Sequence, residues 1–293
     1  MDTRAGTTGP LVVIVGQTAS GKSTLALELA EQFDGEIICA DALTVRRGVD
    51  IGTAKPSAAD RKRVPHHLVD VVEPCADFTA AVFKDLAVQG INDITARGKL
   101  PILVGGTGLY IDGIIYDYSF LPAGDRQERE TLNQLSVDEL RSKVLQAEYD
   151  TTDVDMSNKR RLIRLLETGG QHGSRQPLRT NTLMLGVQVS KDQLQARIEQ
   201  RVDTMLADGL EQEVRALVKR YDWECEALKA IGYSEWQPYL AGTQDLAQTR
   251  QRIIKDTLDL AKRQRTWFKR NDSIQWLGNP SQSADIVTTF LNK

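Results

Sequence analysis

Cysteine is scarce in this sequence, which contains three in 293 residues: Cys39, Cys75 and Cys225. Their spacing fits neither a disulfide framework nor a metal-ligand motif. The simplest interpretation is a protein whose thiols stay reduced, and we therefore expect a cytoplasmic location. Long apolar runs are missing as well, so no membrane-spanning segment is predicted. The first residues, Met1–Pro10, lack the apolar stretch of a signal peptide.

An excess of charge of one sign is also absent, because the formal net charge is only -3. A generally basic surface of the kind that binds nucleic acid is therefore excluded. Positive charge is nevertheless concentrated in two segments, 159–164 and 250–270. Either segment could bind a polyanion or form a solvated helix face, and charge alone does not decide between them. With 41% hydrophobic residues, the chain can build one large or two modest domains.

The most informative stretch is Val12–Thr24, with the sequence VVIVGQTASGKST. It joins an apolar strand to the spacing G-x-x-x-x-G-K-S and precedes a segment of helical periodicity, which is the context of a phosphate-binding loop. Backbone N–H groups and the helix N-terminus can surround phosphate oxygens, Lys22 supplies a full charge, and the Ser23 hydroxyl is placed to ligate Mg²⁺. The loop alone does not say what the phosphates are attached to. The predicted diphosphate-binding residues are Gly16, Gln17, Thr18, Ala19, Ser20, Gly21, Lys22 and Ser23.

The remaining pattern predicts an α/β fold. Helical segments separate short apolar segments, which indicates a parallel sheet flanked by helices, as in P-loop NTPase-like proteins. Strands are expected at Leu11–Val15, Glu36–Ala40, Leu68–Val72, Ile102–Val104 and Leu183–Val189.

After Tyr118 the chain becomes polar and charged, with helical periodicity and no apolar strands. We interpret residues 118–155 as an inserted helical subdomain. Residues 1–117 and 156–293 are assigned to the phosphate-binding core, whose C-terminal part carries basic helices.

Two acidic residues belong to predicted strands. Asp41 ends the strand at 36–40, where the carboxyl ends of parallel strands face the ligand crevice, so it is a candidate for metal or acid–base chemistry or for a turn cap. Asp70 could organise a metal in a nucleotide hydrolase, but two apolar residues follow it, whereas such an acid normally ends its strand. The adjacent His66 and His67 have no third ligand nearby and are interpreted as structural.

Seven motifs occur together along the chain: GQTASGKST at 16–24, DIGTAKP at 50–56, VPHHL at 64–68, LVGGTGLY at 103–110, RLIRLLE at 161–167, AIGYSE at 230–235 and AKRQRTWF at 261–268. With these motifs the chain resembles bacterial tRNA dimethylallyltransferases, the isopentenyl transferases that modify adenosine beside the anticodon. The resemblance covers nearly the whole chain and is more specific than the phosphate loop alone.

The resemblance implies that the phosphate loop holds dimethylallyl diphosphate with Mg²⁺, and that the N6 amine of the adenosine 3′-adjacent to the anticodon attacks the allylic carbon. An aromatic amine is a poor nucleophile, so it needs a base and tight positioning. By resemblance, Asp41 would accept the proton, Lys22 would hold the charge of the leaving diphosphate, and Thr107 would lie beside the target base. Lys229 would lie near the diphosphate.

The implied partner is the anticodon stem-loop of tRNAs that read codons starting with U, because an unpaired loop base can leave its stack at little cost. No membrane partner is expected, and a monomer is expected. The residues implied to contact tRNA are Asp41, Ala42, Leu43, Thr44, Thr107, Arg129, Arg160, Arg161, Arg164, Lys262 and Arg263.

The sequence departs from the family directly after Asp41. Where the family usually has Ser-Arg-Gln-Val-Tyr, this chain has Ala42–Arg46, and Arg160 stands where the family usually has glutamine. Several hydrogen bonds and a stacking ring that grip the target adenosine are thereby removed, each buried interaction contributing on the order of 1 kcal/mol. The sequence therefore supports binding of the diphosphate more strongly than recognition of the target base.

Three other functions remain open at this point. A relative that prenylates free adenine nucleotides would need no basic helix and no insertion. A small-molecule kinase of the phosphate-loop class would transfer phosphate from ATP and would also need no RNA-binding surface. An RNA-binding protein with an idle site would bind both ligands without turnover.

Overall fold

A computed structural model describes residues 9–122, 124–152 and 154–292 of the chain. The described residues form six strands: β1 (Leu11–Gly16), β2 (Gly35–Ala40), β3 (His66–His67), β4 (Leu100–Gly105), β5 (Thr182–Val187) and β6 (Ile274–Leu277). They make one sheet in the order β3-β2-β4-β1-β5-β6, and every neighbouring pair is parallel. The predicted α/β class with a parallel sheet flanked by helices is confirmed.

Twelve α-helices lie within the described residues. They are α1 (Lys22–Gln32), α2 (Ala58–Arg63), α3 (Ala80–Ala96), α4 (Gly108–Ile115), α5 (Arg126–Gln134), α6 (Val137–Gln146), α7 (Lys159–Glu167), α8 (Lys191–Ala207), α9 (Leu210–Arg220), α10 (Gln237–Leu240), α11 (Leu246–Phe268) and α12 (Ser283–Leu291). Among these described helices, none combines the length and the apolar character that a membrane crossing requires.

The central strand β1 is buried along its whole length because helices cover both of its faces. Val12 and Ile14 point to one face and pack in a cluster with Leu25 and Leu29 of α1 and with Val287 of α12. Helices α3 and α11 also contact the sheet. This arrangement leaves the carboxyl ends of the strands as the open edge at which a ligand can bind.

Residues Tyr116–Pro177 form a compact inserted unit between the two parts of the core unit. Its own apolar cluster joins Leu132 of α5 and Leu140 of α6 to Leu162 and Ile163 of α7. Helix α7 was assigned to the core from the sequence, so the expected boundary at residue 155 is wrong. The apolar face of α7 supplies the core of the insertion, which therefore includes this helix and the loop after it.

The predicted strand at Leu68–Val72 is also wrong. Leu68 and Asp70 have φ angles of 60° and 57°, in the left-handed region that a strand cannot contain. The backbone N–H groups of Val71 and Val72 donate to the carbonyl of Val45 instead. The pairing with β2 in this region comes from the two residues of β3, which precede the predicted strand. His67 contacts the Glu36 carboxylate at 2.7 Å, in agreement with a structural role.

The expectation of three reduced cysteines is contradicted by the structure. Cys75 and Cys225, which are 150 positions apart, form a disulfide, whereas Cys39 is free and buried in the core. Sequence spacing did not reveal the pair, because folding brings together two loops that are distant along the chain. Strand β6 and helix α12 were also missed, since both are short and follow an irregular segment.

Candidate active site

The phosphate loop connects β1 to α1. Ala19 and Gly21 have φ angles of 59° and 100°, so the chain turns tightly before the helix begins. A Cβ at Gly16 would lie 2.5 Å from the carbonyl oxygen of Val187, and glycine is therefore required where β1 approaches β5. The free backbone N–H groups at the start of α1 face the site and favour an anion.

The ammonium group of Lys22 folds back over this loop. Its Nζ donates a hydrogen bond to the carbonyl of Gln17 at 3.2 Å. Burial and the nearby Arg201 guanidinium lower the pKa of Lys22 to about 8, while the Asp41 carboxylate acts in the opposite direction. The lysine is thus poised for a multiply charged anion, which would restore its full charge.

Two arginines that the sequence analysis missed lie against the loop. Both belong to α8 and are four residues apart, so they share one helix face. Arg197 donates to the carbonyl of Ser20 at 3.0 Å, and Arg201 donates to the Thr18 hydroxyl at 3.3 Å. Burial lowers the pKa of Arg201, and Asp41 partly offsets this effect. Two further cations, the exposed Arg197 and the half-buried Arg201, therefore stand at the phosphate loop.

A cavity of about 740 Å³ opens beside the loop. One wall comes from α1 and α8, and the other comes from residues 50–61. Its lining includes charged and hydroxyl groups of Lys22, Ser23, Lys55, Arg61, Arg197 and Arg201. Asp50 and Asp208 also line the cavity, but Lys22, Arg197 and Arg201 lie together at the phosphate loop, where they fit a polyphosphate or diphosphate.

The second wall is held by a carboxylate and a lysine. Glu213 of α9 accepts hydrogen bonds from the backbone N–H groups of Asp50, Ile51 and Gly52 at 2.9, 2.9 and 3.1 Å. Lys55, with only 3% of its side chain exposed, forms an ion pair of 2.7 Å with Asp50. These contacts give the wall a fixed shape.

Asp70, one candidate for a metal-organising acid, belongs to the same network. Its carboxylate pairs with Lys55 at 2.6 Å and with Arg61 at 3.0 Å. Both carboxylate oxygens are thus engaged by cations, and the residue does not end a strand. The interpretation of Asp70 as a metal ligand is therefore not supported.

Asp41 and Thr107 meet at the carboxyl ends of β2 and β4. The Thr107 hydroxyl accepts a hydrogen bond from the backbone N–H of Ala42 at 3.2 Å. Asp41 Oδ1 accepts from the backbone N–H groups of Leu43 and Thr44 at 2.9 and 3.3 Å, so this side chain does cap a turn. Neither Asp41 nor Thr107 lines the cavity described above, but Asp41 influences the pKa values of Lys22 and Arg201.

The unusual stretch Ala42–Arg46 is built into the fold. Arg46 is 6% exposed and donates hydrogen bonds to the carbonyls of Pro74 and Ala76, both at 2.8 Å. Thr44 is also buried, at 8% exposure. The structure thus gives Arg46 a supporting role within the fold.

The predicted RNA contacts fall into two groups. Arg129 and Arg164 both contact the buried carboxylate of Glu167, at 3.0 and 3.4 Å, and Arg164 also donates to the carbonyl of Leu121 at 2.6 Å. These two arginines therefore stabilise the inserted unit. Arg160 and Arg161 are exposed at the start of α7 and have no ion-pair partner among the described residues.

Lys262 and Arg263 lie on the exposed side of α11, and no ion pair engages them within the described part of the chain. Lys229 differs, because it pairs with Glu224 at 3.0 Å and with Glu226 at 3.6 Å, which raises its pKa. Lys229 is also absent from the cavity lining, and its position near the diphosphate stays a prediction.

The predicted metal ligand Ser23 is exposed at the start of α1 and lines the cavity. Within residues 9–122, 124–152 and 154–292, no group of three or more His, Cys, Asp or Glu side chains forms a metal-binding cluster. Mg²⁺ commonly takes few protein ligands and completes its shell with water and phosphate oxygens. A hydroxyl beside a cationic phosphate loop fits that mode.

Comparison with known proteins places this site in a family. Residues 44–271 match the family described as IPP transferase. The chain is 42% identical over 289 residues to tRNA dimethylallyltransferase 1 of Citrifermentans bemidjiense, with 94% of each chain covered. It is 40% identical over 278 residues to the tRNA dimethylallyltransferase of Anoxybacillus flavithermus, covering 91% of this chain and 89% of the relative.

Solved structures of related transferases also resemble this chain. The full-length tRNA isopentenylpyrophosphate transferase of Bacillus halodurans matches with a TM-score of 0.76 at 35% identity, covering 97% of both chains. A eukaryotic dimethylallyltransferase acting on tRNA matches with a TM-score of 0.80 at 25% identity, covering 96% of this chain and 80% of the other. These likenesses confirm the predicted P-loop NTPase-like fold. The chain belongs to the IPP transferase family, the family that its sequence motifs indicate.

Proposed function

We propose that this protein transfers a dimethylallyl group from dimethylallyl diphosphate to the N6 amine of the adenosine 3′-adjacent to the anticodon, in tRNAs that read codons starting with U. The observation that carries the proposal is that two sets of groups lie at the same edge of the parallel sheet. The loop after β1 carries Lys22 and contacts Arg197 and Arg201, and Asp41 and Thr107 follow the nearby strands β2 and β4. The phosphate loop suits a leaving diphosphate, and the carboxylate of Asp41 suits the amine of an acceptor base.

The reaction follows from this arrangement. The allylic C–O bond breaks and its electron pair stays on the diphosphate, whose negative charge Lys22, Arg201 and the loop N–H groups stabilise. The amine nitrogen forms the new C–N bond and gives its proton to the Asp41 carboxylate. Because Asp41 Oδ1 is fixed by two backbone N–H groups, the carboxylate is already oriented when the base arrives.

Mg²⁺ is part of the proposal. The Ser23 hydroxyl would be its protein ligand, and oxygens of the diphosphate and water would supply the other ligands. When bound, the ion neutralises part of the charge on the diphosphate. We further propose that the protein works as a monomer in the cytoplasm. This location is proposed because tRNA and the allylic diphosphate are both present there, and it no longer depends on reduced cysteines.

The RNA partner is the anticodon stem-loop. The exposed basic groups of Arg160 and Arg161 on α7, and of Lys262 and Arg263 on α11, contact its phosphates. Neither a free-nucleotide acceptor nor a small-molecule kinase reaction uses these two basic helix surfaces. The resemblance of the chain to enzymes named for tRNA also disfavours both alternatives.

Mass spectrometry of tRNA nucleosides tests the function directly. The protein is incubated with Mg²⁺, dimethylallyl diphosphate and a tRNA that reads a U-starting codon, and adenosine should gain one dimethylallyl group. A tRNA with guanosine at the same position is the matched control and should remain unmodified. Prenylation of AMP in preference to tRNA, or ATP turnover without any prenyl transfer, would refute the proposal.

A further inference from the structure

Gln264 is a buried polar residue on the packed face of α11, which it shares with Ala261 and Phe268. It is 9% exposed, whereas its neighbours Arg263 and Arg265 on α11 are exposed. A glutamine side chain costs free energy when it is buried, unless its donor and its acceptor both find partners. Both groups of Gln264 are engaged.

The two hydrogen-bond partners of Gln264 lie in the phosphate loop and at the carboxyl end of β4. Its Oε1 accepts a hydrogen bond from the backbone N–H of Thr18, in the phosphate loop, at 2.7 Å. Its Nε2 donates to the carbonyl of Gly106 at 3.2 Å, one residue before Thr107. A single amide therefore links the diphosphate loop to the strand end that carries Thr107.

Neighbouring contacts leave this amide little freedom. Gln17 donates through its Nε2 to the carbonyl of Ala261 at 3.1 Å, so α11 and the loop are joined a second time. A Cβ at Gly106 would lie 2.2 Å from Nε2 of Gln264, which shows how closely the amide approaches the strand end. The link requires an acceptor and a donor at one side-chain end, and among the side chains of this length only glutamine offers both at neutral pH.

We propose that Gln264 is a positioning residue for the transfer reaction, which fixes the separation between the bound diphosphate and the acceptor end at Asp41 and Thr107. This inference rests on the proposed function. Gln264 acts through the backbone of Thr18 and Gly106 and touches neither substrate. The Thr18 N–H is already used by Gln264, so it is not a donor to the diphosphate, and each substrate binds by itself without the link.

The test compares Gln264→Met with Gln251→Met. Methionine keeps the length of the side chain and removes both hydrogen bonds, and Gln251 is an exposed glutamine on the same helix. We expect the single-turnover rate of Gln264→Met to fall about 10- to 100-fold with both substrates saturating, since small errors of placement cost rates of this size. The dissociation constants for dimethylallyl diphosphate alone and for tRNA alone should stay within about threefold of the wild type.

Equal single-turnover rates in Gln264→Met and Gln251→Met would overturn the inference. So would a loss of affinity for either substrate as large as the loss of rate, which would assign Gln264 to binding. If Gln264→Met does not fold, Gln264→Asn carries the same expectations, because its amide is one methylene too short to reach both partners. Failure of both variants to fold would make the link a stability element only. If the wild-type protein itself forms no prenylated tRNA, the proposed function is refuted. If the wild type is active and Gln264→Met is equally active, only the inference about Gln264 is refuted.

Discussion

The hydroxyl of Thr107 accepts a hydrogen bond from the backbone N–H of Ala42 at 3.2 Å, so the end of β4 is tied to the turn that follows Asp41. The backbone N–H of Thr107 donates in turn to the carbonyl of Ala40 at 3.3 Å. Asp41 is thus held between two ordered strand ends. A carboxylate fixed in this way can accept a proton without first losing side-chain freedom.

We predict that Asp41→Asn lowers the turnover of prenyl transfer by about a hundredfold or more, which is the usual effect of losing a general base. Asparagine has nearly the same shape, and its carbonyl oxygen can still accept from the N–H groups of Leu43 and Thr44. The turn should therefore survive, and the dissociation constant for dimethylallyl diphosphate, measured by calorimetry, should be nearly unchanged. Unaltered turnover would remove Asp41 from its role as base.

The pKa of Lys22 predicts a pH dependence of diphosphate binding. Burial and Arg201 hold this pKa near 8, so the ammonium loses its proton, and its attraction for an anion, as the pH rises through that value. The dissociation constant of the free protein for dimethylallyl diphosphate should therefore rise above about pH 8, by at most tenfold per pH unit because one proton is involved. Titration calorimetry between about pH 6.5 and about pH 9.5 measures this change.

The variant Lys22→Arg is the control for this pH dependence. A guanidinium keeps its charge throughout the range, so its binding curve should show no break near pH 8 even if its affinity is lower. If the dissociation constant rises above about pH 8 by the same factor in both proteins, the group that titrates is not Lys22.

Local sequence information was sufficient for the phosphate loop and the neighbouring strands. The residues 12–16 are continuously apolar, and the glycines and Lys22 that follow can be recognised without knowing any distant contact. The capping box of Ser190 and Gln193 at the start of α8 likewise depends on residues that are neighbours in the sequence. Such features depend on residues that are close together along the chain.

The features that were missed depend on residues that are distant along the chain. Arg197 and Arg201 become part of the site only because α8 packs beside the loop, and their spacing of four residues gave the only available signal. Cys75 and Cys225 meet only after folding. The strand expected at Leu68–Val72 has a suitable apolar composition, but its neighbours impose left-handed backbone angles. Tertiary packing here overrides local preference.

Reversal of charge at Lys262 and Arg263, to glutamate at both positions, should weaken tRNA binding and reduce its dependence on salt concentration. The slope of log K against log salt should become shallower by about 0.7–0.9 for every phosphate that the protein no longer neutralises. Affinity for dimethylallyl diphosphate alone should be unchanged. Filter binding at several salt concentrations measures the slope.

Reversal at Lys219 and Arg220, which are exposed at the end of α9, makes the same change in net charge and is the matched control. If the control weakens tRNA binding equally, the effect comes from total charge. A lower affinity for both substrates in the Lys262 and Arg263 variant would give α11 a structural role.

The disulfide between Cys75 and Cys225 should stabilise the fold, because it closes a large loop in the unfolded chain. Replacing both cysteines by serine should lower the free energy of unfolding by roughly 2–5 kcal/mol in guanidinium titrations without reductant. Dithiothreitol should destabilise the wild type in a similar way and leave the double serine variant unaffected.

Cys39 provides an internal check, since burial and Asp41 raise its pKa to about 12, and its thiol should resist alkylation in the folded protein. Alkylation of the native protein before reduction should therefore label no cysteine. Labelling of Cys75 at that stage, or equal stability with and without the two cysteines, would show that the two thiols remain reduced in solution.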